Sequence, residues 1–116
     1  LFLFFYLLMV FFAWIYADHI VFPSPNPPTY EEKDVDFYVT TESVDKIACL
    51  QLLAKEPNGL TILYSHGNGE DLGILKPLLE EFTKFGCNVI AYDYPGYGLS
   101  EGSSSEASCY AAIDTL

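Results

Sequence analysis

Two short glycine-punctuated stretches hold the residues of this sequence whose types and spacing could do chemistry. In the first, Ser65-His66-Gly67-Asn68-Gly69-Glu70-Asp71 joins the apolar run Leu60 to Leu63 to an amphipathic run from Leu72 to Phe85. Glycine pays no Cβ penalty for unusual φ/ψ and Asn tolerates the left-handed region better than most residues, so main-chain N–H groups here can turn into a cleft and hold an anion. In the second, Gly98-Leu99-Ser100-Glu101-Gly102 spells G-x-S-x-G, the pattern of a nucleophilic serine. That pattern needs its serine on a tight turn directly between a buried strand and a helix. Here the preceding apolar run ends at Asp93, and Pro95, Gly96 and Gly98 intervene before Ser100. A helix opening near Ser103 would favour an elbow. The longer step marks Ser100 instead as a decoy, a turn-stabilising hydroxyl.

Other polar residues near these stretches have simpler readings. His66, Glu70 and Asp71 lack a metal-ligand spacing, so no metal site is expected. Glu70 and Asp71, at a helix start, suit the positive end of the helix dipole. Asp93 ends a strand, where α/β enzymes place functional groups, and is expected to shape the following turn by bonding the Tyr94 to Gly98 backbone. Tyr92, Tyr94 and Tyr97 could border a pocket, with loop and core packing as the default. Cys49, Cys87 and Cys109 form neither a C-x-x-C pair nor an even framework and read as free, reduced thiols.

The elements that must position these residues follow from periodicity. Asp34 to Thr41 and Lys46 to Ala54 are rich in β-formers, and the turn-like Glu42 to Asp45 between them predicts an antiparallel hairpin. Leu60 to Tyr64 is a short continuous apolar strand of the kind buried on both faces of a parallel sheet covered by helices. Leu75, Leu78, Leu79, Phe82 and Phe85 recur at helical spacing, with Gly86 as the C-terminal stop. Asn88 to Asp93 is the next strand, parallel to the previous one by the right-handed crossover rule. Ser103-Ser104-Ser105-Glu106 reads as a capping box opening a helix that carries Tyr110, Ile113 and Leu116. The fold class is α/β, an antiparallel hairpin followed by βαβα.

An uncharged stretch without Gly or Pro, Leu1 to Ala17, precedes all of this. As a helix it would span roughly 25 Å, near the lower limit for a bilayer core. A membrane anchor is the leading reading. A signal-peptide h-region ending at Ile15-Tyr16-Ala17 and a buried core helix are the alternatives. Residues 1–22 are thus taken as a single-pass transmembrane anchor, 23–33, with four prolines in Pro23 to Pro28, as a semi-rigid linker spacing the domain from the membrane, and 34–116 as the α/β domain. Net charge is −11, from 16 acidic residues against five lysines. That balance disfavours nucleic acid and anionic lipid as partners.

The stretches Ser65 to Gly73 and Tyr92 to Ser100 together resemble the first half of an α/β-hydrolase. They are similar in particular to the α/β-hydrolase domain-containing proteins that include membrane-associated protein depalmitoylases. The resemblance extends weakly back to Phe22-Pro23 and Pro27-Pro28-Thr29-Tyr30, and forward through Ser105-Glu106 and Tyr110 to Asp114. It implies an oxyanion-hole donor at the backbone N–H of Asn68, with Gly67 permitting close approach. It also implies a triad in the order Ser, Asp or Glu, His, which removes His66 from catalysis and leaves it to shape the turn. The elbow of this family follows a later strand, so no catalytic triad residue is expected within the 116 residues, and the chain alone is expected to be inactive. The implied parent is a membrane-tethered serine hydrolase without a cofactor, acting on esters or thioesters, with palmitoyl-protein thioesters as the leading substrate. An acylglycerol esterase and a non-catalytic, truncated hydrolase-like protein are the rivals. The family favours a domain facing the cytoplasm, and the free cysteines agree with that side, although no Lys lies within ten residues after Ala17 to mark it.

Overall fold

The structure is a computed structural model describing residues 1–43 and 45–116. Helix α1 (Phe2–Val21) buries none of its side chains and is long and apolar enough to cross a membrane. A 3₁₀ turn at Glu32–Asp34 leads into strands β1 (Phe37–Thr40) and β2 (Lys46–Leu52), then β3 (Thr61–Ser65), α2 (Leu72–Lys84), β4 (Asn88–Tyr92) and α3 (Glu106–Thr115). The strands form one sheet in the order β1-β2-β4-β3. The β1–β2 hairpin is antiparallel, with Phe37 opposite Cys49, and β2 runs antiparallel to β4, with Cys49 opposite Tyr92. β3 and β4 are parallel, as the crossover rule requires, so Ser65 and Tyr92 come together at their carboxyl ends. The expected hairpin turn includes Val44, which lies outside the described residues.

Alternation along β2 sends its side chains to two different cores. Ala48 and Leu50 face α2, joining Leu72, Leu75, Leu79, Val89 and Ala91. Ile47 and Cys49 face the other way, toward Tyr92 and Ala112 of α3. Helices therefore cover both faces of the sheet, and full burial of each α2 leucine contributes about 1.5–3 kcal/mol.

Several local expectations shift. The buried stripe of α2 is Leu72, Leu75 and Leu79, whereas Leu78 is turned off the sheet and Phe85, at the C-cap, is 77% exposed. Gly86 does follow in the left-handed region (φ +85°), donating to Thr83 O at 3.1 Å. β3 forms one edge of the sheet: Ile62 and Tyr64 pack on the core while Leu63 is 45% exposed, so it is not buried on both faces. The α3 cap is Ser105, whose Oγ accepts from Ser108 N at 3.1 Å, rather than Ser103. The earlier serines serve the loop: Ser104 Oγ donates to Pro95 O at 2.6 Å and Ser103 O accepts from Ser108 Oγ at 2.9 Å. Of the α3 residues only Ala112 is buried, while Tyr110, Ile113 and Leu116 remain exposed.

The Pro-rich segment is not a free spacer. Pro23 O accepts from Gly69 N at 2.9 Å, and the Thr29 N–H and hydroxyl are both bound by Asp71, the former at 2.8 Å. Tyr30 reaches Asp93. The chain leaving α1 is thus fastened across the top of the sheet, next to the β3–α2 turn.

Candidate active site

The β3–α2 turn is held from both ends. Asp71, fully buried, is the N-cap of α2, with Oδ1 accepting from Ile74 N at 3.1 Å. Glu70 folds back so that Oε2 accepts from Gly67 N at 2.9 Å, which occupies the Gly67 donor. Among the described residues the Asn68 N–H has no such acceptor. Gly67 and Asn68 line a cavity of about 320 Å³ together with Ser65, His66, Tyr92 and Tyr94 from the strand ends, Phe22 from the base of α1, and Glu106, Cys109, Tyr110 and Ile113 from α3. The cleft lies at the carboxyl ends of the parallel strands, the position at which open α/β sheets bind ligands.

Beneath the turn lies a buried polar node. Asp93, fully buried, accepts from Leu72 N at 3.1 Å and from the Tyr30 hydroxyl, and its Oδ1 is 3.3 Å from His66 Nε2. Its carboxylate therefore bonds the start of α2, the Pro-rich segment and the β3–α2 turn, and not the Tyr94 to Gly98 backbone expected from sequence. Gly98 (φ +50°) packs directly against this carboxylate, where a Cβ would collide with Asp93 Oδ2, while the carboxylate oxygens are taken up by the Tyr30 hydroxyl and Leu72 N. Burial, and then the Asp93 charge beside it, push the Tyr30 phenol far above its ordinary pKa, so it remains a donor. The same hydroxyl accepts from Leu99 N at 3.0 Å.

His66 has both ring nitrogens engaged. Nδ1 lies 2.8 Å from Gly67 O, and Nε2 faces Asp93 and Tyr94 N, the latter at 3.4 Å. The ring packs against Tyr94 (4.1 Å between centroids) and Tyr97 (5.0 Å). Tyr94 OH donates to His66 O at 2.8 Å, and burial pushes that phenol up to about 12. Every one of these bonds fixes the turn, and none presents the imidazole to the cleft as a free base.

Ser100 is nearly buried, donates to Asp93 O at 2.9 Å and accepts from Ala48 N at 2.9 Å. Its hydroxyl ties the β4–α3 loop to β2 and β4. Cys49 is buried, and Cys87 and Cys109 are half-buried, all unbridged; burial raises the Cys109 thiol. Among the described residues, no three His, Cys, Asp or Glu side chains converge on a point that would hold a metal ion.

Sequence reasoning placed Thr29 and Tyr30 within the weak resemblance but gave neither a role, because their partners lie 42 and 63 residues away and leave no local signature. It also missed the Glu70 bond to Gly67, for which the signal was present. An acid three residues after a glycine in a tight turn can reach back to that N–H, the geometry of a capping box.

No family model matches the sequence. Curated relatives do. The chain is 33% identical over 90 residues to the mouse α/β-hydrolase domain-containing protein 17C, an overlap of 73% of this chain and 28% of that protein. It is 38% identical over 86 residues to protein 17B of Xenopus tropicalis, covering 72% of this chain and 30% of the relative. The chain thus spans less than a third of the length of the curated relatives it matches. Among solved structures, an esterase from Pyrococcus furiosus superposes with a TM-score of 0.60 at 21% identity, over 81% of this chain and 38% of that one. An esterase from Exiguobacterium antarcticum gives 0.56 at 17% identity, over 67% and 29%. With homologues and sheet architecture in agreement, the chain belongs to the α/β-hydrolase superfamily and carries the first half of that fold.

Proposed function

We propose that this chain supplies the membrane anchor and one oxyanion-hole donor of a serine hydrolase that cleaves esters or thioesters, with fatty-acyl thioesters on lipidated proteins as the substrate class. One observation carries the reading. In the β3–α2 turn the Gly67 N–H is occupied by Glu70, while Asn68 lines a largely apolar cleft and its N–H has no intramolecular acceptor among the described residues. A preorganised N–H in that position stabilises the charge that develops on a carbonyl oxygen during acyl transfer. The carbonyl would be attacked by a serine from outside these 116 residues, at the elbow that follows the next strand of the fold, with the histidine base and its acid also supplied there. α1, with its length and its uncharged run through Ala17, would hold the domain at the bilayer as a single-pass anchor.

Two substitutions in the active protein that contains this chain separate a backbone donor from a side-chain role. Asn68→Pro deletes the N–H and should lower kcat about 10²–10³-fold, the usual cost of one oxyanion donor. Asn68→Ala keeps the N–H and should leave kcat within a few-fold. Full turnover in a folded Asn68→Pro protein contradicts the assignment.

A further inference from the structure

The bond between Pro23 O and Gly69 N, at 2.9 Å, fixes how far the candidate site can stand from the membrane. Val21 ends α1, and Pro23 is two residues on, a reach of at most about 7 Å. The base of the helix is therefore pinned to the very turn that carries Asn68. A second observation agrees with the first. Ile15, Asp18 and His19 of the last turns of α1 share a cavity of about 360 Å³ with Gly96 and Ser103 of the β4–α3 loop. Both loops at the carboxyl ends of the parallel strands thus lie beside the base of the helix. The molecule is 67 Å long and only 27 by 26 Å across, because α1, about 30 Å of helix, projects from that end.

From this geometry we infer that the Asn68 cleft opens directly onto the bilayer surface and receives its acyl chain from the lipid leaflet rather than from water. The inference rests on the reading of α1 as a membrane helix and adds to it a position and an entry route. The uncharged run ends at Asp18, so the water–lipid boundary falls at the level of the loop that faces Asp18 across that cavity. From there the apolar surface of α1 continues through Phe22 to Tyr110 and Ile113, both exposed, at the mouth of the cleft. Apolar side chains continuous with a membrane helix bury themselves in the headgroup and acyl boundary. The opposite end of the sheet, where Phe85 is also exposed, lies a strand length away and stays in water.

Tryptophan quenching in vesicles tests both layers of the inference. Trp14 is the single tryptophan, so the full chain in phosphatidylcholine vesicles with doxyl-labelled acyl chains reports on α1 directly. In a Trp14→Phe background, Tyr110→Trp reports on the cleft mouth and Phe85→Trp on the far end, and each is a conservative aromatic exchange. The expected result is strong quenching of Trp14 and several-fold more quenching of the residue 110 reporter than of the residue 85 reporter by a label shallow in the leaflet. Unquenched Trp14 overturns the anchor and the inference with it. Quenched Trp14 with equal, weak quenching at the two other positions leaves the anchor standing and overturns the placement of the cleft.

Discussion

Asn68 and Ser100 show how little a residue's letter says about its job until its hydrogen bonds are counted. Ser100 sits in a sequence that spells a nucleophile elbow, yet its hydroxyl donates to Asp93 O and accepts from Ala48 N. A serine used in this way is a cross-brace. Ser100→Ala should destabilise the domain by about 1–3 kcal/mol, because it leaves the buried Ala48 N–H without an acceptor. In an active protein containing the chain, it should leave labelling by a fluorophosphonate serine probe intact. Loss of labelling with unchanged thermal stability would make Ser100 the nucleophile. The length of the step from Asp93 already pointed this way in sequence. The partners did not, since nothing local links residue 100 to residue 48. The free Asn68 N–H was legible only in outline: two glycines around an asparagine announce a turn with outward donors, but which donor is occupied depends on the rotamer of Glu70.

At the scale of elements, the periodic segments were the most legible and the segment with no periodicity the least. Apolar spacing places α2, and β-branched and aromatic runs place all four strands to within about three residues at either end. The Pro-rich stretch shows only that it is neither helix nor central strand. Its path over the N-terminus of α2 is a tertiary fact, written in Asp71, which caps the helix and grips Thr29 at once. Gly73 is the residue that makes room: a Cβ there would meet Thr29 Oγ1 at 2.4 Å and the Thr29 backbone at 2.9 Å. In an exposed helix Gly→Ala stabilises by about 1 kcal/mol. Gly73→Ala should instead destabilise by about 1–3 kcal/mol, as overpacking does. A lower urea midpoint with an unchanged m-value is the expected result. A raised midpoint would show that the segment does not lie on the helix in solution.

For the whole molecule, the decisive relation is between the sheet and the turn at its carboxyl edge. Among the described residues the strand order β1-β2-β4-β3 leaves β3 with one neighbour, and the other side of β3 ends at Ser65, beside the Asn68 turn. A further parallel strand pairing there would bring its own carboxyl end, and an elbow serine, up to the same cleft. Sequence could announce the α/β class, because strand and helix periods alternate. It could not announce that the helix base, the Pro-rich segment and the turn converge on one end, because that convergence rests on bonds between residues dozens of positions apart. The central claim is that Asn68 N–H is an oxyanion donor, and it is tested most directly by the structure of the active protein after reaction with a fluorophosphonate. The prediction is a phosphoryl oxygen about 2.7–3.1 Å from Asn68 N, with Glu70 still holding Gly67 N. An adduct whose oxygen is bound elsewhere, leaving Asn68 N–H to water, would contradict it.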